Sequence, residues 1–473
     1  MVLAGGGEPG RSAAPPERWG LAGSGCARAA VLVGTAVMAL ALAPSMAGAD
    51  WVQPDESYRE AQLMLRSAVR DTVGHADDPA RLDTLGVALL RLARFDDASK
   101  AFRRVFEASP QDDAARAGLG KLALFQDRPA EADSLLSRIV TPDASSTADL
   151  FAARVRMGSY EQAADMAEKV NQGGRAELLR LMAEQPPYRI AAGPDSTKIP
   201  FARAYPIPLV RVKLNGQSVL MALDTGAGDL LVDESAYRRC AVRPVGGRST
   251  TFWCGSRVAV SNAMVQQLQL GGYRVEGCPA GVLNLGKWSL EVNPQGERVA
   301  GVIGLELLRR FTPTLDYDRR TLELRRPGTA FTPAPDAQRV PFQIWGESEL
   351  TVFGTLAQCR PMAFILQTGL PGCGVGAPPE VFDEIGVRSG AVARLVKNAG
   401  KFLQGRPWDP VVVPTVTVGP LARDRVAGFS GALESGEMWR HGVRRDAILS
   451  GEFFRGQRLT IDWQRHELVI EEK

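Results

Sequence analysis

The sequence predicts a multidomain protein in which an α-helical repeat region precedes an all-β region built from two copies of one lobe. Three observations lead there. Apolar residues recur at three and four from Ser57 to about Ala183 and then alternate, the change from a helical to a strand period. A set of small and large residues in the first region returns after 34 positions. A longer pattern in the second region returns after 143 to 146.

A chain of 473 residues is too long for one ordinary core, and 45% apolar with 23% charged residues is the balance of a folded protein. The formal charge is only +3 and no dense Lys/Arg run is present, so nucleic acid is not an expected partner. Near the N-terminus, Arg28 precedes an apolar stretch from Ala29 to Ala43, then Pro44, then Ala47-Gly48-Ala49 before Asp50. Charged, apolar and small-residue zones in that order read as a secretory signal peptide over residues 1–49, cut after Ala49, with the mature chain periplasmic or secreted. The apolar stretch is short against the roughly 20 residues of a spanning helix, so no membrane span is expected after cleavage.

Export permits disulfides. With Cys26 ahead of the cut, Cys240, Cys254, Cys278, Cys359 and Cys373 remain, and their odd number leaves at least one thiol free or shared between chains. Pairing within one half, such as Cys359 with Cys373, is one pattern among several that spacing does not decide. His75, His441 and His466 are the only histidines and no Cys-x-x-Cys occurs, which argues against zinc and against a Ser/His or Cys/His triad. No metal and no cofactor is expected.

Residues 50–185 carry the helical pattern. Leu85, Gly86, Leu90, Ala98 and Phe102 match Leu119, Gly120, Leu124, Ala132 and Leu136, each 34 positions on. Small residues at such places let two antiparallel helices approach, large ones fill the gap, and Pro110 and Pro142 stop each unit. The spacing resembles the tetratricopeptide repeat (TPR), although Leu89 falls opposite Ala123 where that family prefers a large residue. A weaker third unit spans Ala148 to Val170 around Gly158, Tyr160 and Ala163. The resemblance implies a concave face for a protein partner or a brace for the region that follows.

Pro, Gly and Ser collect in residues 186–202, which read as a linker. Beyond it Leu209–Leu214 alternates, Asn215-Gly216 supplies a two-residue hairpin turn, and the apolar strand Val219–Leu223 runs into Asp224-Thr225-Gly226-Ala227. An aspartate fixed at a strand end can face a cleft. Thr225 can bond across to a matching loop, and Gly226 lets backbone pass close to the carboxylate and a water. Gly301-Val302-Ile303-Gly304, a short helical turn over Leu305–Phe311 and a hairpin through Leu324 follow. A carboxylate loop, an apolar-apolar-Gly segment, a short helix and a closing hairpin, in that order, resemble the retropepsin-like aspartic proteases, the bacterial members in particular, over Pro206 to Leu324.

The pattern then returns. Pro361–Leu366 ends in Gln367-Thr368-Gly369, 143 residues after the first loop. At an offset of 146, Glu452 falls on Glu306, Arg455 on Arg309, Thr460 on Thr314, Asp462 on Asp316, Arg465 on Arg319 and Leu468 on Leu322. Two lobes are therefore expected, 203–335 and 336–473, sharing one cleft as in the pepsin/retropepsin-like fold.

The resemblance implies that Asp224 is the catalytic carboxylate, supported by Thr225, Gly226, Ala227 and Gly304 from its own lobe and by Gln367, Thr368 and Gly369 from the other. In that family two carboxylates share one proton, one activating water and the other protonating the scissile carbonyl. Gln367 stands in the second place, where an amide can hold water and bond to Asp224 but cannot exchange a proton. Ser450 stands where the first copy has Gly304. Three readings stay open: an exported endopeptidase in which Asp224 works with another acid, a homodimer pairing two Asp224 loops, and a pseudoenzyme whose cleft binds a peptide or protein without cutting it. The stretch from Arg248 to Gly255 is either the flap that closes over a bound peptide in this family or an ordinary hairpin with a buried Trp253.

Overall fold

The computed structural model describes residues 58–75, 77–253, 256–388 and 408–472. The signal segment, Cys26 and Cys254 lie outside the described residues.

Eight helices are described between Tyr58 and Glu184. Their ends follow local chemistry. Asp78 caps Pro79–Arg91 by accepting from the amides of Ala80 and Arg81, and Asp112 and Asp143 cap Asp113–Phe125 and Ala144–Met157 in the same way. Gly158, at φ 77°, ends the last of these. The two glycines of the 34-residue repeat do the same work: a Cβ on Gly86 would stand 2.6 Å from the Phe102 ring, and one on Gly120 2.6 Å from Leu136 Cγ.

One buried carboxyl in these helices makes stability depend on pH. Asp83 is only 9% exposed and its Oδ1 has no hydrogen-bond partner among the described residues. Burial, with Asp112 beside it, pushes its pKa up to about 7 from the ordinary 3.8. The unfolded chain therefore releases this proton first, and stability falls as pH rises through the window between those values. Asp83→Asn removes the penalty, so its melting temperature should rise relative to the parent as pH goes from about 4 to about 8 in thermal melts.

Residues 186–202 are not a linker. Arg189–Ala192 pairs with the strand Tyr273–Leu283, and Ser196–Arg203 pairs with Thr321–Arg325 and with Leu209–Leu214. Gly193 and Pro194 sit between these two strands, and Pro200 is tolerated because its strand lies at a sheet edge. The alternation of buried Ile199 and Phe201 with exposed neighbours is the strand signal beneath the Pro and Gly content.

Each lobe closes around a loop held between two strands. In the first, Gln217–Leu223 runs parallel to Val299–Ile303, and Leu230–Asp233 pairs with that same strand in the opposite sense. In the second, Met362–Gln367 runs parallel to Ala447–Ser450, which Val375–Ala377 pairs antiparallel. The Asn215-Gly216 turn has φ of 46° and 86°, the left-handed pair such a hairpin requires.

A six-stranded antiparallel sheet joins the lobes, in the order Ser196–Arg203, Thr321–Arg325, Thr312–Asp316, Arg458–Asp462, Glu467–Glu471, Gln338–Trp345. Its central register sets Thr314 on Thr460, the pair equivalent under the 146-residue offset, with hydroxyls 2.7 Å apart and both residues 0% exposed. Asp316 accepts from the Arg319 amide at 2.7 Å and Asp462 from the Arg465 amide at 3.1 Å, so equivalent residues close equivalent turns. Cys240, Cys278 and Cys373 are buried free thiols. Cys359 is an exposed free thiol just beyond the strand Glu349–Leu356, so the Cys359–Cys373 pairing does not form.

The helices brace the lobes through one tryptophan. Trp345, at the end of Gln338–Trp345, is fully buried, stacks on Phe125 at 4.9 Å and meets Phe95 edge-on at 6.2 Å. Beside it Arg156 donates to Leu124 O at 2.8 Å and Ile344 O at 3.2 Å and pairs with Asp127. Asp127 also receives Arg309 and His466, at 3.3 Å and 3.2 Å, so one carboxylate of the repeats ties both lobes.

Candidate functional site

The two Thr-Gly turns meet face to face. Thr225 donates through Oγ1 to Leu366 O at 2.7 Å and through its amide to Thr368 Oγ1 at 3.0 Å. Thr368 returns the pattern, donating to Leu223 O at 3.2 Å and to Thr225 Oγ1 at 3.1 Å. Both threonines are 1% exposed. Thr225→Val would leave Leu366 O and the Thr368 amide buried without partners, a loss of about 2–4 kcal/mol in denaturant unfolding. Thr225→Ser should keep most of that stability, since the hydroxyl remains.

The acid rests on this platform. Asp224 Oδ1 accepts from the Gly226 amide at 2.8 Å and from the Gly369 amide of the other lobe at 3.0 Å. Burial pushes the carboxyl above its ordinary range, and these two amides pull it partly back. Glycine is required at both turns by close approach. A Cβ on Gly369 would run into the Asp224 carboxyl, and one on Gly226 would stand 2.5 Å from Gln367 Cγ. Asp224 thus lies against the second lobe's glycine and Gln367 against the first lobe's, a two-fold arrangement broken by one functional group.

The remaining expected residues fall in place around it. Ala227 O accepts from the Leu305 amide at 2.7 Å, tying the loop to the short helix Leu305–Leu308. Gly304 has an ordinary φ of −88°, so it is the nearness of Gly228 O and Asp229 O that excludes a side chain there. At the equivalent Ser450 the hydroxyl finds use, donating to Cys373 O and accepting from the Glu452 amide at 3.1 Å. Pairing of two Asp224 loops across a homodimer would require the second lobe to move aside. The place a second loop would need is held by the chain's own Gln367-Thr368-Gly369, and all four threonine bonds would have to break.

A cleft of about 640 Å³ opens over Thr225–Gly228 and Gln367. Arg248 to Thr251, from the hairpin Arg243–Trp253 and Ser256–Leu270, line one side. Trp253, beside the turn, is buried against Trp288 at 5.1 Å, so the hairpin has an anchored tip and a cleft-facing stretch at once.

The far wall of the cleft belongs to the helical region, which the motifs did not foretell. Arg175, in the helix Gly173–Glu184, lies 3.6 Å from Asp229 of the first lobe and 2.7 Å from Glu347 of the second. Tyr188 donates to Asp229 at 2.7 Å. The same helix holds the hairpin: Glu177 accepts from the Gly246 amide at 3.1 Å, and Asn262 donates to Gly174 O at 2.7 Å. A Cβ on Gly247 would stand 2.5 Å from Gly174 Cα, so the Gly173-Gly174 pair was the one local sign of a close backbone crossing. Among the described residues no cluster of His, Cys, Asp and Glu suits a metal ion, and no helix is long and apolar enough to cross a membrane.

Comparison with known proteins gives the following likenesses. Residues 210–307 match the family model described as aspartyl protease, and residues 89–156 match that of the tetratricopeptide repeat. Similar solved structures include an aspartic proteinase from Irpex lacteus, with 10% identity, a TM-score of 0.38, and coverage of 59% of this chain and 97% of that one. Another is a retropepsin-like aspartic protease from Rickettsia conorii, with 15% identity, a TM-score of 0.19, and coverage of 28% of this chain and 90% of that one. No curated protein matches the sequence.

Proposed function

We propose that this chain, which joins tetratricopeptide-type helices to a lobe of the aspartyl protease type and its degenerate copy, is an exported protein that captures an extended peptide in its cleft without cutting it. One observation carries the reading: the threonine platform is complete, yet Gln367 stands opposite Asp224 where hydrolysis needs a second acid. An amide donates and accepts hydrogen bonds but supplies no proton, and losing a general acid costs on the order of 10²–10⁴ in rate. Peptide capture needs only the groove and its backbone groups, which are intact.

A second reading is slow hydrolysis by Asp224 alone. It is favoured by the burial that raises this carboxyl, since a carboxyl that holds its proton longer can serve as acid over a wider pH range. The two separate in one experiment. The chain from Asp50 onward is incubated with fluorescent casein between about pH 3 and 7, and both retention and fragmentation are followed. Capture predicts retention with intact substrate. Fragmentation that disappears in Asp224→Ala would instead establish a single-aspartate peptidase, and fragmentation that survives that substitution would remove Asp224 from either role.

A further inference from the structure

Where the helix Gly173–Glu184 crosses the hairpin of the first lobe, the hairpin is irregular. Pro244 pairs with Ala263 and Arg248 with Ser261, so Val245, Gly246 and Gly247 stand opposite one residue, Asn262. Such a bulge bends a strand and re-aims the residues beyond it, which here are Arg248 to Thr251 on the side of the cleft. The helix fills the bend. A Cβ on Gly174 would stand 2.3 Å from Arg248 O, and Val245 and Met264, one from each hairpin strand, share a buried cluster with Ala176, Leu179 and Met182 of the helix.

One side chain joins the helix to the cleft. Asn262 is 3% exposed and lines the cleft. Its Nδ2 donates to Gly174 O at 2.7 Å, and its Oδ1 accepts from the hydroxyl of Ser249, which lines the cleft as well, at 2.5 Å. A carbonyl oxygen only accepts, so the helix fixes which way the amide faces and thereby turns its oxygen toward Ser249. Both ends of this buried amide are satisfied only while helix and hairpin keep their relation, and an end left unpaired carries the desolvation penalty of a buried polar group.

From this we infer that Asn262 is a positioning residue through which the repeat helices set the hairpin against the cleft, so that ligand binding and helix–hairpin packing are one linked equilibrium. The inference rests on the capture of peptide in this cleft, and it adds that the helical region regulates that capture. Linkage is reciprocal: whatever the helix contact contributes to holding a peptide, the peptide returns as protection of the helix.

Two substitutions separate the bonds. Asn262→Ala removes both, and Ser249→Ala leaves the bond to Gly174 O in place. Hydrogen exchange with mass readout is followed over residues 173–184 and 243–251 in the chain from Asp50 onward, alone and with fluorescent casein, and casein release is timed after dilution. Without ligand, exchange in both segments should rise about 10-fold in Asn262→Ala, whereas the helix in Ser249→Ala should exchange as in the parent. Casein should slow exchange of the helix about 10-fold in the parent and leave it unchanged in Asn262→Ala, whose release of casein should be about 10-fold faster. A purely structural Asn262 would leave the casein-dependent protection of the helix intact. A thermal melt identifies any variant that fails to fold, and the parent decides without them: casein retained with no protection of residues 173–184 overturns the inference and leaves capture standing. A folded Asn262→Ala that keeps this protection overturns it in the same way. A parent that retains no casein overturns capture, and this inference with it.

Discussion

Gln367→Asp is expected to convert the cleft into a working acid peptidase, raising the cleavage of unfolded polypeptide by about 10²–10⁴-fold over the parent below neutral pH. The substitution places a second carboxyl across from Asp224, on a turn whose partner threonines and glycines are already in position. Two acids so close cannot both ionise, so one retains the proton that the amide could never supply. Activity should fall away as pH rises and the shared proton is lost. Adding Asp224→Ala to the same chain should return activity to background. A folded Gln367→Asp protein with no gain would mean that the two turns are not the reacting centre.

The largest expected loss of stability comes from Trp345→Ala, about 3–5 kcal/mol in denaturant unfolding. The indole is buried between the repeats and the second lobe, stacked on Phe125, and its Nε1 donates to Gln343 at 2.8 Å. Truncation leaves a cavity at the joint itself, so the helices should also become more accessible to proteases than the lobes. Trp345→Phe keeps most of the apolar contact and should cost less. Equal protection of helices and lobes in Trp345→Ala, by limited proteolysis with mass readout, would show that the brace is carried elsewhere.

Much of this architecture was legible because duplication leaves marks at fixed distances. The 34-residue spacing of Gly86 and Gly120 reflects a real packing demand, since each glycine admits the large residue sixteen positions later. The 146-residue offset placed Thr314 on Thr460, and the fold sets those two hydroxyls against each other. Asp224, Gln367 and their Thr-Gly partners were readable from the loop pattern, and all of them converge. The strands at 189–203 were hidden because Gly193, Pro194 and Pro200 outweighed the short alternation of Ile199 and Phe201. The wall of the cleft was illegible for a different reason. Arg175, Asp229 and Glu347 come from three separate regions, and no local pattern records a salt bridge made across 172 residues of chain. Trp345 was unremarkable in a strand pattern, because what it fills is a gap between helices that only the tertiary arrangement creates.

The pairing of Thr314 with Thr460 marks an axis about which the two halves of the groove would be interchangeable if their turns carried the same residue. A groove with true dyad symmetry accepts a bound strand equally well in its two opposite directions. Here one half offers a carboxylate and the other an amide, so head-to-tail and tail-to-head alignments differ in free energy from the central residue outward. Directionality, which a symmetric dimer can gain only from its ligand, is written into this protein's own covalent chain.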